Sequence, residues 1–414
     1  MNFKFVHAAD LHLDSPLRVR AAGPLQRILE EATFAALRRI VDLCLSERAE
    51  FLLLAGDLFE YRDRSVRARL ELRRQLGRLD AAGIRTFIVH GNHDPLACEP
   101  TTLRLFDSVK VFPASWEEVE LHGEGRVLCR IQGVSYPQER VMEDLTPLFH
   151  RQGAEFTIGL LHANVGGSLA HPNYAPCGLA DLDARGLDYW ALGHVHTRAE
   201  YRLPGGGVAV YPGNPQGRHI AETGARGCVL VEVNDGRASP RFWPLESVRW
   251  SCLEMDIAGL PTIDSLADAI CQKIAEAACA GPDAHAVEVR LIGAGPLHHE
   301  LGRLGALSEL VEHLSPWALQ RSPPVLFESI EDNTRPELDI RAATAAGTLG
   351  EAIASVGRSA ASSAGALNQL CADEGLVKLH SALRRAGVEA PPPGQLLDRA
   401  ILRALELLQS EVGP

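Results

Sequence analysis

The chain has 414 residues, of which 46% are hydrophobic and 23% are charged, and its formal net charge is −12. This length predicts two or three domains, and the acidic balance argues mildly against a protein that holds nucleic acid by electrostatics alone. No stretch approaches the roughly 18 consecutive apolar residues that cross a bilayer, which argues against a membrane protein. The nine cysteines include no C-x-x-C pair, so we expect reduced thiols in a cytoplasmic protein.

Short apolar runs alternate with amphipathic stretches over about the first 245 residues. Five runs rich in Val, Ile, Leu and Phe predict strands that are buried on both faces. These runs cover residues 3–8, 51–55, 85–90, 156–161 and 187–192. Amphipathic segments between them, such as 24–46 and 65–82, predict helices. This alternation of strands and helices predicts a layered α/β core.

The pattern changes near residue 201, where segments 208–211 and 228–233 predict antiparallel strands of a second sheet. A new unit begins near residue 250, with strands and helices again in alternation. Its predicted elements are strands at 252–257, 286–292 and 325–330 and helices at 263–278 and 297–314. We therefore predict a large domain at 1–248, a small α/β domain at 249–345 and a helical region at 346–414.

Side chains of the metal-ligand type follow each of the five buried strands. They lie in the segments Asp10-Leu11-His12, Gly56-Asp57, Gly91-Asn92-His93-Asp94, His162 and Gly193-His194-Val195-His196. The carboxyl ends of parallel strands lie at one edge of a sheet, so we expect these segments to meet there. One Gly-Asp pair or one histidine at a strand end is more often structural. Five such strand ends in succession would be a rare accident, and they predict a metal site.

Seven of these residues supply oxygen or nitrogen ligands without a thiolate. They are Asp10, His12, Asp57, Asn92, His162, His194 and His196. Such a set favours an ion such as Mn²⁺ over structural zinc, and it exceeds what one ion needs. We expect two divalent ions, roughly 3.5–4 Å apart, that share Asp57 as the bridge. Asp10 and His12 would hold the first ion, and Asn92 and His162 the second. The histidines at 194 and 196 would divide between them.

The whole series resembles the calcineurin-like metallophosphoesterase family, over residues 10 to 196 and with every metal ligand present. This resemblance implies a two-sheet α/β sandwich with two metals, usually Mn²⁺ in the nuclease members of the family. It also implies that His93 is the catalytic acid. Asp94, which ends the Gly-Asn-His-Asp segment, joins the candidate catalytic residues.

Further segments are similar to the DNA repair exonuclease branch of that family, the SbcD/YhaO-like group. They are 10–16, 56–59, 211–219 and Arg226-Gly227-Cys228. In that group a small α/β capping domain helps to bind DNA, a helical tail often docks on a coiled-coil ATPase, and dimers are common. The resemblance thus implies an Mn²⁺-dependent DNA exonuclease for DNA with free ends, in which a metal-bound hydroxide attacks the phosphodiester. It implies an ATPase partner and a possible homodimer.

One position departs from the archaeal and eukaryotic nucleases of that branch. Three residues after Asp57 they carry a histidine, whereas this chain has Glu60. Many phosphatases of the superfamily carry an acidic residue there that orients the catalytic histidine, so Glu60 is a candidate to hold His93. A glutamate that only faces solvent is the alternative. The loop after Gly-His-x-His lies near the metals in this family, and it provides the candidate substrate contacts Asn214, Arg218 and His219.

Two other functions stay open. The first is a phosphohydrolase for small molecules such as nucleotides, which Glu60 and the negative charge favour. The second is a scaffold subunit that regulates a coiled-coil ATPase, although an idle metal site would be free to lose ligands. The apolar stripe of the closing segment 395–410 either packs within the chain or docks on a partner.

Overall fold

The computed structural model describes residues 2–19, 24–60, 65–98, 106–123, 125–167, 172–278, 281–337, 343–361 and 393–411. Contacts divide the chain into two compact units. The first contains Met1–Cys252, Ala275–Glu288 and Ser315–Ser329, and the second contains Leu253–Ile274, Val289–Leu314 and Ile330–Pro414. The domain boundaries at 248 and 345 stay a prediction.

The described strands and helices alternate along much of the chain. The strands are β1 (Asn2–Ala8), β2 (Phe51–Ala55), β3 (Arg85–Val89), β4 (Val109–Val111), β5 (Glu117–Gly123), β6 (Arg126–Gly133), β7 (Phe156–His162), β8 (Tyr189–Gly193), β9 (Ala199–Arg202), β10 (Val208–Tyr211), β11 (Gly227–Asn234), β12 (Arg237–Pro244), β13 (Val248–Asp256), β14 (Ala284–Ile292) and β15 (Val325–Asp332). The helices are α1 (Pro24–Glu47), α2 (Val66–Ala81), α3 (Leu179–Asp183), α4 (Ile263–Ala277), α5 (His298–Leu301), α6 (Ala306–Leu319), α7 (Leu349–Ala361) and α8 (Pro393–Glu411). The α/β fold class is confirmed.

The strands form two six-stranded sheets and one three-stranded sheet. The first sheet has the order β12-β11-β1-β2-β3-β4, the second β5-β6-β7-β8-β10-β9 and the third β13-β14-β15. Strands β1 to β4 run parallel in the first sheet, and β6, β7, β8 and β10 run parallel in the second. Five of these parallel strands, β1, β2, β3, β7 and β8, carry the predicted ligands at their carboxyl ends.

Strand β2 shows why the apolar runs are continuous. Leu52 and Leu54 pack in one core cluster with side chains of α1 and α2. Phe51 and Leu53 pack in another with side chains of the second sheet, such as Ile158. Every residue of β2 is therefore buried, and each large side chain contributes roughly 1.5–3 kcal/mol by leaving water. The first sheet is thus covered by helices on one face and by the second sheet on the other.

The structure changes one part of the prediction for the site. We expected five loops to meet at one edge of one sheet, but β1, β2 and β3 belong to the first sheet and β7 and β8 to the second. The loops still meet, because the two sheets pack face to face with those carboxyl ends on the same side. A hydrogen bond from the backbone amide of His194 to Asp10 Oδ1, at 3.0 Å, joins the two sets of loops.

Three other expectations differ from the structure. Segment 228–233, predicted as a strand of a second sheet, lies within β11, which pairs with β1 in the first sheet. The helix predicted at 297–314 is divided into α5 and α6, because Gly302 ends the first and Gly305 turns the chain with a φ of 91°. The predicted helical region is described only in α7 and α8, and residues 362–392 lie outside the described residues. None of the described helices has both the length and the apolar character that a membrane crossing requires.

Candidate metal centre

Backbone hydrogen bonds hold the first three ligand loops together. The amide of Asp10 donates to Gly56 O at 3.0 Å, and that of His12 donates to Asp57 O at 3.0 Å. The buried carboxylate of Asp94 accepts from the amides of Asp57 at 3.2 Å and Gly91 at 2.8 Å. The loops after β1, β2 and β3 are therefore fixed to one another before any side chain reaches a metal.

Glycine precedes a ligand where two loops pass closely. A Cβ atom on Gly91 would lie 2.3 Å from Asp57 Oδ1, and one on Gly193 would lie 1.8 Å from Ala55 O. No other residue fits these positions without displacing a ligand loop. Several ligands themselves have a positive φ, with values of 54° at Asp10, 39° at His12, 50° at Asp57 and 100° at His194.

The predicted ligands gather in two neighbouring clusters. The ligand atoms of Asp10, His12 and His196 lie within 4.8 Å of one another, and we call this group the first cluster. The Nε2 atoms of its two histidines are 3.2 Å apart.

The second cluster consists of Asp57, His162 and His194, which meet the same limit of 4.8 Å. Asn92 Oδ1 lies 3.1 Å from His162 Nε2 and 3.1 Å from His194 Nδ1, so it belongs to this cluster. Asp57 Oδ2 is 3.4 Å from His162 Nε2 and 4.0 Å from His12 Nε2 of the first cluster. This oxygen faces both clusters, as a bridging ligand must.

The protonation of the imidazoles tests whether these groups fit cations. His162 Nδ1 lies 2.9 Å from Ala55 O, and His194 Nε2 lies 2.7 Å from Pro172 O. A carbonyl oxygen only accepts, so those nitrogens carry the protons. In the neutral rings the opposite nitrogens present lone pairs toward the oxygen of Asn92 and the carboxylate of Asp57. Lone pairs that converge in this way repel one another unless positive charge lies among them, as a second proton on an imidazole or as a metal ion, so the residues fit metal ions.

The electrostatics of the pocket also favour positive charge. Burial disfavours the charged form of His162, yet the carboxylates of Asp57 and Asp10 outweigh burial and raise the pKa of His162 to about 9. Burial, with the nearby charge of Asp57, raises the pKa of Asp10 to about 6, although His196 and His162 oppose this shift. A cation would relieve this crowding of buried carboxylates.

His93 stands at the edge of the first cluster and is 38% exposed. Its Nδ1 lies 2.5 Å from Glu60 Oε1, and Glu60 Oε2 lies 3.1 Å from His12 Nδ1. Burial lowers the pKa of His93, but the bond to Glu60 and the charge of Asp57 outweigh it and raise that pKa. Glu60 therefore contacts both a ligand histidine and the candidate acid, instead of only facing solvent.

Arg218 lies between two carboxylates rather than facing open solvent. Its Nη1 is 3.2 Å from Glu60 Oε2, its Nη2 is 3.9 Å from Glu222 Oε1, and its side chain is 17% exposed. His219 is 27% exposed, with Nε2 3.6 Å from Glu222 Oε1. Both residues lie beside the first cluster.

Asn214, predicted to contact substrate, uses its side-chain amide for hydrogen bonds inside the protein. Its side chain is fully buried, and its Oδ1 accepts from Arg226 at 2.8 Å. Its Nδ2 donates to Gln216 O at 2.9 Å and to Glu222 at 3.0 Å. With its amide occupied in this way, Asn214 supports the loop. Asp94 is similar, because its buried oxygens bind backbone amides, and we propose for it a positioning rather than a catalytic role.

Glu222 is the residue that sequence reasoning missed. Its Oε1 lies 2.7 Å from His196 Nδ1, and its Oε2 accepts from the Arg218 amide at 2.6 Å. Burial alone would raise the pKa of Glu222, but His196 and Arg218 hold it below its usual range. The signal was its place in the segment that carries Arg218 and His219, four residues after the arginine.

Comparison with known proteins agrees with this geometry. The profile of the calcineurin-like phosphoesterases matches residues 3–198, and that of the YhaO metallophosphoesterase middle domain matches residues 250–335. The chain is therefore similar to the calcineurin-like phosphoesterases over its first 198 residues and to the YhaO middle domain over residues 250–335. The metallophosphoesterase fold implies divalent metal ions, and the two clusters are where this chain could hold them.

Two relatives indicate the branch of the family. The chain is 39% identical, over 63% of its length and 65% of the relative's, to an uncharacterized metallophosphoesterase YhaO from Bacillus subtilis. It is 29% identical, over 51% of its length and 54% of the relative's, to the DNA double-strand break repair protein Mre11 from Sulfurisphaera tokodaii. The chain is thus similar to both relatives, and the matched segments cover less than two thirds of the length of either one.

A dimetal phosphatase from Danio rerio is a structural neighbour, with 13% identity over 56% of this chain and 93% of that one. Its TM-score of 0.37 is too low to support an inference about this chain.

Proposed function

We propose that this chain is an Mn²⁺-dependent phosphodiesterase that digests DNA from free ends in DNA repair. The observation that carries the proposal is the meeting of two ligand clusters on one oxygen of Asp57, with His93 at their edge. The oxygen and nitrogen ligands suit Mn²⁺, because no thiolate lies among them. When bound, two such ions acidify water and neutralise the charge of a phosphodiester.

The protein residues divide the remaining work. His93 is placed to give a proton to the leaving oxygen, because its ring is partly exposed and its pKa is raised. Glu60 would hold the Nδ1 proton of His93, so that Nε2 points toward the reacting phosphate. Arg218 would stiffen Glu60 through its contact at 3.2 Å.

The choice of DNA as substrate is supported by the relatives that are named as DNA double-strand break repair proteins. The YhaO-type middle domain at 250–335 would help to bind DNA. Arg218 and His219, which lie next to the first cluster, would contact the phosphate backbone of the DNA.

One observation favours a second candidate, a phosphohydrolase for nucleotides or other small molecules. Glu60 bonds to His93, as the acidic residue of many phosphatases in the superfamily is expected to do. Arg218 is also occupied by carboxylates, which weakens its attraction for a long polyanion.

One assay separates these functions. The purified chain with Mn²⁺ would receive labelled single- and double-stranded DNA with free ends and, separately, a small chromogenic diester. We expect digestion of DNA that both His93→Ala and Asp57→Asn abolish. Hydrolysis of the diester alone would contradict the nuclease and support the second candidate. No turnover with metal bound would favour a scaffold subunit.

For partners we propose a coiled-coil ATPase that binds α7 and α8. Both helices expose large apolar side chains, with exposures of 64% at Leu349, 70% at Val356 and 52% at Leu407. Exposed apolar faces of helices are suited to bind a helical partner. We also propose a cytoplasmic location, which Cys44, Cys129 and Cys228 support because their buried thiols form no disulfide, and leave open a homodimer.

A further inference from the structure

The four ligand histidines differ in the group that holds their second ring nitrogen. In the first cluster, His12 Nδ1 lies 3.1 Å from Glu60 and His196 Nδ1 lies 2.7 Å from Glu222, and both groups are carboxylates. In the second cluster, the two histidines at 162 and 194 donate to backbone carbonyls at 2.9 and 2.7 Å. A carboxylate behind an imidazole makes it a more basic ligand than a neutral carbonyl does.

The charges of the ligands add to this difference. The first cluster contains the carboxylate of Asp10, whereas the second contains the neutral amide of Asn92, and Asp57 serves both. Arg218 offsets one of the two outer carboxylates. The first cluster therefore keeps more negative charge of its own than the second, and it should attract a divalent cation more strongly.

Glu222 is the best fixed of these outer groups. It is 5% exposed, and its second oxygen accepts from the Arg218 amide at 2.6 Å and from Asn214 Nδ2 at 3.0 Å. Because those two bonds set the position of the carboxylate, the His196 ring is held with Nε2 toward His12. The first cluster is thus arranged before a metal arrives.

We infer that Glu222 is the positioning residue of the first metal site, and that this site fills before the second. The inference rests on the metal centre of the proposed function and not on its substrate. Outer partners of metal-bound histidines typically change metal affinity by about 10–100-fold. Glu222→Gln should therefore weaken the tighter of the two sites by about this factor.

The first test needs no variant. Metal-free full-length protein would be titrated with Mn²⁺ and followed by calorimetry and by electron paramagnetic resonance. We expect a tight class and a weaker class of sites, with the signal of an isolated ion up to one equivalent. The signal of a coupled pair should appear only during the second. A coupled-pair signal from the first additions onward would overturn ordered filling.

The second test identifies the sites. Asn92→Ala should remove the weaker class and keep the tight one. Glu222→Gln should weaken the tight class, while the metal-free variant still unfolds at the same temperature as the metal-free parent protein. The matched control is Glu246→Gln, because Glu246 is another buried glutamate, 2% exposed, that bonds to the Arg226 amide at 3.1 Å. Unchanged binding in Glu222→Gln would refute the role of Glu222.

The outcomes separate this inference from the proposed function. If Glu222→Gln does not fold, Asn92→Ala still tests the order of filling. Loss of the tight class of sites in Asn92→Ala would show that the first site does not fill before the second. Ordered filling without digestion of DNA would refute only the proposed substrate. Absence of any Mn²⁺ binding would refute the metal centre and the inference with it.

Discussion

The two large sheets contribute to the metal centre in different ways. Loops of the first sheet supply every carboxylate and amide ligand, and backbone bonds such as Asp10 N to Gly56 O, at 3.0 Å, hold them in place. Loops of the second sheet supply only histidines, each oriented by a bond from its second ring nitrogen. The loops of the first sheet thus supply the negative charge of the ligands, whereas those of the second sheet supply histidine rings in fixed orientations. Substitutions in the two sets of loops should therefore impair different properties of the protein.

The largest effect should come from Asp57→Asn, which removes charge from the first sheet at the oxygen that both clusters share. We expect loss of both ions and activity below detection, because each cluster then lacks its common carboxylate. Metal content measured after dialysis against Mn²⁺ would test this. Asp183→Asn is the control, since the carboxylate of Asp183 accepts from the Gly205 amide at 2.7 Å and belongs to neither cluster. Two retained ions in Asp57→Asn would show that the oxygen is not a bridge.

A smaller effect should come from His93→Ala, which changes a first-sheet loop without removing a ligand. We expect kcat to fall by about 10²–10⁴, as for loss of a general acid, with both ions still bound. Steady-state kinetics and metal content on the same preparation would check this. A fall in metal content instead of kcat would mean that His93 is a ligand.

Glu60→Gln should have an intermediate effect on both properties. The change removes the carboxylate behind His12 and His93, so we expect about 10–100-fold weaker binding at the first site and a reduced kcat. Glu71→Gln is the matched control, because Glu71 pairs with Arg38 and Arg74, away from the imidazoles. Weakening of only the second site would contradict the assignment of Glu60 to the first cluster.

Metal removal should abolish the proposed activity, but its effect on the stability of the fold should be the smallest of these, since backbone hydrogen bonds already hold the loops. Saturation of one site at 100 times its Kd stabilises a protein by about 2.7 kcal/mol, so saturation of both sites should raise the Tm of a unit of this size by about 10 °C. Differential scanning calorimetry with and without a chelator would measure the shift. Collapse of the fold without metal would show that the ions, and not the backbone bonds, order the first-sheet loops.

The sequence predicted the buried strands and the ligands well, because both are local features. Strand β2, with every residue buried, coincides with its apolar run at 51–55, and its ligand follows directly. Strand β5 was missed, since its burial is mostly partial and its run Glu117–Gly123 is polar. Local periodicity indicates which residues face a core, and it failed at this edge strand and also at β6, an interior strand with five buried residues.

Long-range partners could not be predicted for a related reason. Glu222 lies 26 positions from His196, and no motif links them before the chain folds. Asn214 was expected at the substrate for its motif, but its bonds to Arg226 and Glu222 direct it inward. The strand ends were placed at one edge because a sequence does not show in which of two sheets a strand lies. The ligands were thus predictable from the sequence, whereas the residues that hydrogen-bond to the ligands and orient them were not.

The backbone of the ligand residues has a consequence for protein engineering. Asp10, His12, Asp57 and His194 adopt a positive φ, and such a conformation costs about 1–3 kcal/mol for a non-glycine residue. Glycine at these positions would relieve that cost, but at Asp10 and Asp57 it would also remove the carboxylate that accepts from the amide of His194 or His93. Melting temperature alone would not reveal which variants have lost a ligand, so a search for heat-resistant variants should screen for turnover at the same time.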